Sequence, residues 1–366
     1  MAGVLKKILL AAVAFVITFA LVEGLASEAL LGYQLFLKPK PPLAERLHTR
    51  YDTELGWAAV PNLDIPDMYG PGVYFRSNSQ GFRNDRTIER DPPAGTLRAI
   101  CAGDSFTLGY GVDNDHAWCQ LLSKLDRRFE TVNMGQGGYG IDQAYLWYRR
   151  DGVPIRHQVL IFAFVTADFN RMQRDSFLQY GKPVLKVRDG RLTVENVPVP
   201  QNAFRFTWFV SNLPLFQDLR VVKFANGVRE QFVATAPNLK SKPPSEEATG
   251  VARAIFAELR EITRRSGAVP TLVYLPTQSD YDGNPLTDQW RAIVAAQAAE
   301  LGVAFLDLVD DFQKMPRNLG ALFIPPNRLK FGEATGHYTV KGNEVMAKVL
   351  YDKLIALPEV AAKLSS

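Results

Sequence analysis

The chain has 366 residues, 47% of them hydrophobic and 22% charged, which suits one large globular domain with appendages and excludes a disordered chain. Its net charge of +4 is spread over mixed signs with no basic face and no nucleic-acid motif, so no nucleic-acid partner is expected. The excess is too small to name any other partner.

The first element in the chain is apolar. After Lys6 and Lys7, residues 8–22 run without a side chain more polar than Thr18. As a helix this run reaches only about 22 Å, short of a hydrocarbon core of roughly 30 Å, so a spanning helix draws on Val4, snorkelling lysines and residues 24–31. A retained membrane anchor over residues 1–32 is favoured over a cleaved signal peptide with Gly24-Leu25-Ala26 as its site, because apolar character resumes at 29–31. Lysines before the run and Glu23 and Glu28 after it put the amino end in the cytoplasm and the rest outside. The expectation is a single-pass inner-membrane protein with a periplasmic domain.

Residues 33–95, rich in proline, glycine and asparagine, read as a linker followed by irregular or hairpin structure packed on the main domain. From 96 to 366 the pattern alternates. Strands are predicted at 97–101, 131–134, 159–165, 271–275 and 303–308, and helices at about 117–125, 142–149, 246–265, 287–301 and 341–357. Such alternation specifies a parallel sheet covered by helices on both faces, with the active edge at the strands' carboxyl ends. An insertion at about 171–245 interrupts it with a hairpin over 184–194, turned by Asp189-Gly190. The insertion is either a lid or, through the aromatic segment 204–216, a docking surface for a membrane protein partner. An exported location permits a disulfide between the two cysteines, Cys101 and Cys119, but two buried thiols are the favoured expectation, since a strand-interior cysteine points into a core.

The peptide Gly103-Asp104-Ser105 ends the first of these strands. A serine there is either the N-cap of the next helix or a nucleophile lifted to the sheet edge, where backbone N–H groups face a reacting oxygen. A nucleophile needs a base, and the chain has 4 histidines. His337, in Gly336-His337-Tyr338-Thr339, follows the fifth strand and precedes the last helix, which brings it to the same edge. His48 in the linker, His116 after the serine loop and His157 before a strand read as surface or capping residues. Asn133-Met134-Gly135-Gln136-Gly137-Gly138-Tyr139-Gly140 ends the second strand and lets backbone donors approach an oxyanion. Neither a dinucleotide fingerprint nor a Walker lysine is present, so a phosphate site is the weaker reading.

These three segments resemble the first, second and fifth sequence blocks of the SGNH/GDSL hydrolase superfamily, over about residues 50–357. The chain is most similar to membrane-anchored members carrying an Asn-Ser-x-Gly-Phe-Arg element, here Asn78-Ser79-Gln80-Gly81-Phe82-Arg83. The resemblance implies a flavodoxin-like three-layer α/β/α sandwich with a five-stranded parallel sheet. It further implies Ser105 as nucleophile, His337 as base, the Ser105 and Gly138 N–H groups as oxyanion donors, and no cofactor or metal. The substrate class it implies is an acyl ester of a carbohydrate or lipid.

Two positions depart from that pattern. Ala167 stands where the third block has an asparagine donor, which leaves Thr166 or Asn170 to reach in. Ala334 and Thr335 stand where an aspartate orients the histidine, which leaves Glu333, a water or a backbone carbonyl for that role. The primary reading is a membrane-anchored serine esterase. The alternatives are a catalytically impaired accessory subunit of a membrane complex, motivated by the double departure, and an O-acyltransferase of polysaccharide modification.

Overall fold

Five short segments form one parallel sheet: β1 (Leu97–Gly103), β2 (Phe129–Gly135), β3 (Val159–Phe164), β4 (Val269–Tyr274) and β5 (Ala304–Asp307). Their order, β2-β1-β3-β4-β5, is the flavodoxin-like one, and every neighbouring pair is parallel. This computed structural model describes residues 2–32, 47–177, 180–200, 243–316, 318–326, 329 and 334–365. The aromatic segment 204–216 and Glu333 lie outside the described residues.

The period-2 alternation of the strands builds the two outer layers. Leu160, Phe162 and Phe164 of β3 share a core with residues of α4 (Ile141–Trp147), α6 (Glu246–Ser266) and α7 (Pro285–Leu301). Val159, Ile161 and Ala163 face the opposite core, with α3 (Trp118–Leu125) and α8 (Val340–Ile355). The result is an α/β/α sandwich. The helix at 340–355 is not the last, since α9 (Pro358–Leu364) follows it and buries Val360.

The segment before β1 contributes two-stranded ribbons, Thr49–Asp52 with Gly56–Ala59 and Asp64–Ile65 with Phe75–Arg76. Farther along, Asn84 covers the free edge of β2. Its side chain accepts from the Asn133 N–H at 3.0 Å and donates to the Thr131 carbonyl at 2.9 Å, in place of a neighbouring strand. Val184–Arg188 pairs with Arg191–Glu195 as the hairpin expected over 184–194, and Asp189 and Gly190 at its turn both have positive φ. Helix α1 (Ala2–Gly32), in a separate unit of the chain, includes Gly3–Leu25, with mean hydropathy 2.5 and the length to cross a membrane.

The cysteines are not free thiols: Cys101 and Cys119 form a disulfide, with Cα atoms 6.3 Å apart. Cys101 does point into a core, as expected of a strand interior, but α3 packs on that same face of the sheet and presents Cys119 from the other side. The bridge joins residues 18 apart and encloses the Ser105 turn. Replacing both cysteines by alanine is expected to lower unfolding stability by about 2–4 kcal/mol, the usual effect of removing such a cross-link. Urea unfolding monitored by circular dichroism checks this, and an unchanged midpoint would contradict it.

Candidate active site

The Ser105 turn is a single turn of helix, α2 (Ser105–Leu108), set on the carboxyl edge of the sheet. Its N-cap is Asp104, whose carboxylate accepts from Phe106 N–H at 2.9 Å, so the capping reading of Ser105 is replaced by a cap one residue earlier. Gly109, with φ of 81°, ends the turn in the left-handed region. The carbonyls left over at that end meet Arg83, which is 1% exposed. Its guanidinium donates to Leu108 O, to Gly109 O at 2.6 Å, to Val112 O, and through Nε to Asn114 Oδ1 at 2.9 Å. The Asn-Ser-x-Gly-Phe-Arg element therefore holds the nucleophile turn by its carboxyl end.

His337 reaches Ser105 from the other side, with Nε2 to Oγ at 2.8 Å. Its Nδ1 faces the Ala334 carbonyl at 3.3 Å, and its own backbone N–H donates to the same oxygen at 3.1 Å. A carbonyl only accepts, so Nδ1 carries the proton and Nε2 offers its lone pair to the serine hydroxyl. The ring lies between two aromatic rings, with Phe106 at 4.7 Å and Tyr110 at 5.1 Å between centroids. Burial in this apolar slot pushes the imidazole pKa down to about 4, against a smaller upward pull from Asp104.

The glycine loop after β2 is held by the ribbon before β1. Trp57 Nε1 donates to Gly137 O at 2.9 Å, and Tyr139 OH donates to Trp57 O at 2.5 Å. Gly138 has φ of +76°, a conformation that favours glycine. Among the described residues the N–H groups of Ser105 and Gly138 donate to no other group. Thr166 does not fill the place left by Ala167, because its hydroxyl bonds Tyr274 OH at 2.9 Å and Thr287 Oγ1 at 2.7 Å. The Asn170 side chain makes no hydrogen bond among the described residues. Arg171 enters instead: its Nη1 contacts Asp104, Asp168 and the Tyr139 carbonyl. Burial and the nearby Asp104 push the Asp168 carboxyl well above its usual range.

The other histidines stay apart from this site; His116 has an exposed side chain, as expected, while His48 and His157 are buried rather than surface groups. His48 is fully buried against Phe75, and His157 is 3% exposed with its nitrogens on Tyr148 OH and Ile155 O. His116 pairs with Asp113 at 2.7 Å. Among the described residues no cluster of His, Cys, Asp or Glu has the arrangement to hold a metal ion.

A serine turn, a histidine on its hydroxyl and a glycine loop thus meet at one sheet edge of a flavodoxin-like sandwich. The sequence profile of the GDSL-like lipase/acylhydrolase family matches residues 101–345, and the chain belongs to that family. No curated protein matches it by sequence. Among solved structures, it is similar to a putative lipolytic protein of the G-D-S-L family from Desulfitobacterium hafniense. The identity there is 13%, over 70% of this chain and 99% of that one, with a TM-score of 0.38. A lipase/acylhydrolase from Enterococcus faecalis has 12% identity over 71% of this chain and 95% of that one, with a TM-score of 0.38. The acetylxylan esterase Axe2 from Geobacillus stearothermophilus has 14% identity over 73% and 95%, with a TM-score of 0.40.

The low pKa of His337 sets a pH dependence. A histidine that acts as base works only unprotonated, so activity is lost as pH falls through the folded-state value and is complete above it. The kcat/KM of a neutral ester is expected to rise with a midpoint near pH 4 and to be flat by neutrality. A midpoint between about 6 and 7, the ordinary histidine range, would contradict the buried-slot explanation.

Proposed function

We propose that the protein is a membrane-anchored serine esterase that hydrolyses an O-acyl ester outside the cytoplasm by a Ser105–His337 mechanism. The observation that carries this reading is the 2.8 Å contact between His337 Nε2 and Ser105 Oγ, made although no aspartate stands before the histidine. Ser105 Oγ attacks the acyl carbon while its proton passes to His337 Nε2. The carbonyl electron pair moves onto oxygen, where the N–H groups of Ser105 and Gly138 stabilise it. Collapse expels the alcohol, which takes the proton from His337, and water repeats the sequence to release the acid. The acyl group sits on a carbohydrate or lipid, the substrates that members of such families commonly take. Family membership alone leaves activity to the site itself.

Location outside the cytoplasm has two supports, the charge asymmetry around the apolar helix and the buried disulfide, a bond that persists in oxidising compartments. The accessory-subunit alternative drew on the missing aspartate and asparagine. The carbonyl of Ala334 on Nδ1 weakens it, since the imidazole is oriented without the aspartate.

A fluorophosphonate probe is expected to label the purified full-length protein in detergent at Ser105. Ser105→Ala should abolish labelling, and His337→Ala should slow it by about a thousandfold or more, the scale of losing a triad member. Equal labelling of wild type and Ser105→Ala would overturn the proposal.

A further inference from the structure

Position 167 offers no donor, but one helical turn later stands Arg171, on the same face of α5 (Thr166–Arg171). Helical side chains lean towards the amino end, so the Arg171 side chain lies back over the turn that holds Ala167. Its Nη1 donates to Asp104 Oδ2 at 2.9 Å, Tyr139 O at 3.1 Å and Asp168 Oδ1 at 2.5 Å. Each acceptor adjoins a part of the proposed oxyanion site. Asp104 precedes Ser105, and its Oδ2 lies 3.5 Å from the serine hydroxyl. Tyr139 follows Gly138, and Asp168 follows Ala167. Loop and helix are in backbone contact here, since a Cβ on Gly140 would come 2.9 Å from Asp168 O and 2.7 Å from Met172 N.

What separates Arg171 from a structural arginine is its unused edge. Arg83 and Arg98, 1% and 0% exposed, each bond through Nε, Nη1 and Nη2. The Arg171 side chain is 16% exposed, and no hydrogen bond among the described residues uses its Nε or Nη2. The Asp104 carboxylate, the Asp168 carboxyl and the Tyr139 carbonyl fix one nitrogen of the planar fork, the Phe177 ring lies 5.3 Å from its central carbon, and Nε and Nη2 have no hydrogen-bond partner among the described residues.

We propose that Arg171 is the third oxyanion donor, supplying from one turn later the hydrogen bond that an asparagine at 167 would give. The proposal rests on the esterase reading. As the Ser105 Oγ–carbon bond forms and the serine proton moves to His337, the former carbonyl oxygen takes the electron pair. That oxygen then accepts from Ser105 N–H, Gly138 N–H and the free edge of Arg171. Collapse returns the pair to the C=O bond and expels the alkoxide, protonated by His337. The Asp104 carboxylate faces the guanidinium before the oxyanion exists, and the oxyanion forms only as the Ser105–carbon bond does, so the hydrogen bond from Arg171 is made chiefly in the transition state.

The test uses full-length protein in detergent, with p-nitrophenyl acetate as substrate and thermal melting as a fold control. Arg171→Ala is expected to lower kcat about 10²- to 10³-fold with KM within about threefold, the pattern of a lost oxyanion donor. The double variant Ala167→Asn/Arg171→Ala is expected to recover at least about tenfold of kcat, because the asparagine restores a donor. A purely structural role would not be relieved by Ala167→Asn, so absence of recovery overturns the proposal, as does a kcat for Arg171→Ala within about threefold of wild type. If Arg171→Ala does not fold, Arg171→Lys decides: it keeps a cation for Asp104 and Asp168 but loses the fork. A kcat at least about tenfold down supports the proposal, and an undiminished one overturns it. Wild type no faster than Ser105→Ala overturns the esterase reading, and Arg171's role with it, whereas fast wild type with an unaffected Arg171→Ala overturns Arg171 alone.

Discussion

The nucleophile turn sits so close to the ends of two strands that neither strand can end in a side chain. A Cβ on Gly103 would lie 2.3 Å from Thr107 Oγ1 and 2.5 Å from Ala163 O, and one on Gly135 would lie 2.1 Å from Leu108 N. With both positions bare, α2 rests directly on β1 and β2 and its first residue, Ser105, is carried to the rim. The remaining features of the site follow from that seat. Asp104 caps the turn, Arg83 closes its other end, and the glycine loop after Gly135 starts beside it. The disulfide ties the strand that enters the turn to the helix that leaves it.

The imidazole of His337 is oriented by a neutral group, the Ala334 carbonyl. A carboxylate on Nδ1 would stabilise the imidazolium and raise its pKa. Here a carbonyl stands there, and two aromatic rings flank the imidazole, so orientation comes from packing and the pKa falls. In the proposed mechanism such a base would be weaker but unprotonated at neutral pH. Under this account more of the barrier lowering falls to the oxyanion donors, which is where a guanidinium in place of an amide would matter.

Much of this was legible in the residues, for reasons that are local. Strand 159–164 is a continuous apolar run, strand 97–103 is apolar apart from Arg98, and helix 246–266 has Ser245 as cap and Gly267 as stop, so their types and most of their bounds follow from pattern. The positions of Ser105, Gly138 and His337 were readable because Ser105 opens a helix directly after a strand, Gly138 lies in the loop between a strand and a helix, and His337 stands just before a helix. What sequence left hidden depends on packing between distant segments. The disulfide required knowing that α3 lies on the Cys101 side of β1, and the residues before β1 gave no sign that Trp57 would brace the glycine loop. Arg83 was visible as part of a motif, but its role depends on meeting carbonyls 25 and more residues away. Arg171 carried one signal that was available, the four-residue spacing from Ala167 on a helix.

The central claim is that Ser105 carries the acyl group between two half-reactions. Acid-quenched mass spectrometry of the full-length protein, milliseconds after mixing with an activated acetyl ester, reads that intermediate directly. The account predicts one acetyl group, on the peptide containing Ser105. Turnover of the ester with no acetyl on that serine, or with acetyl on another residue, would contradict it.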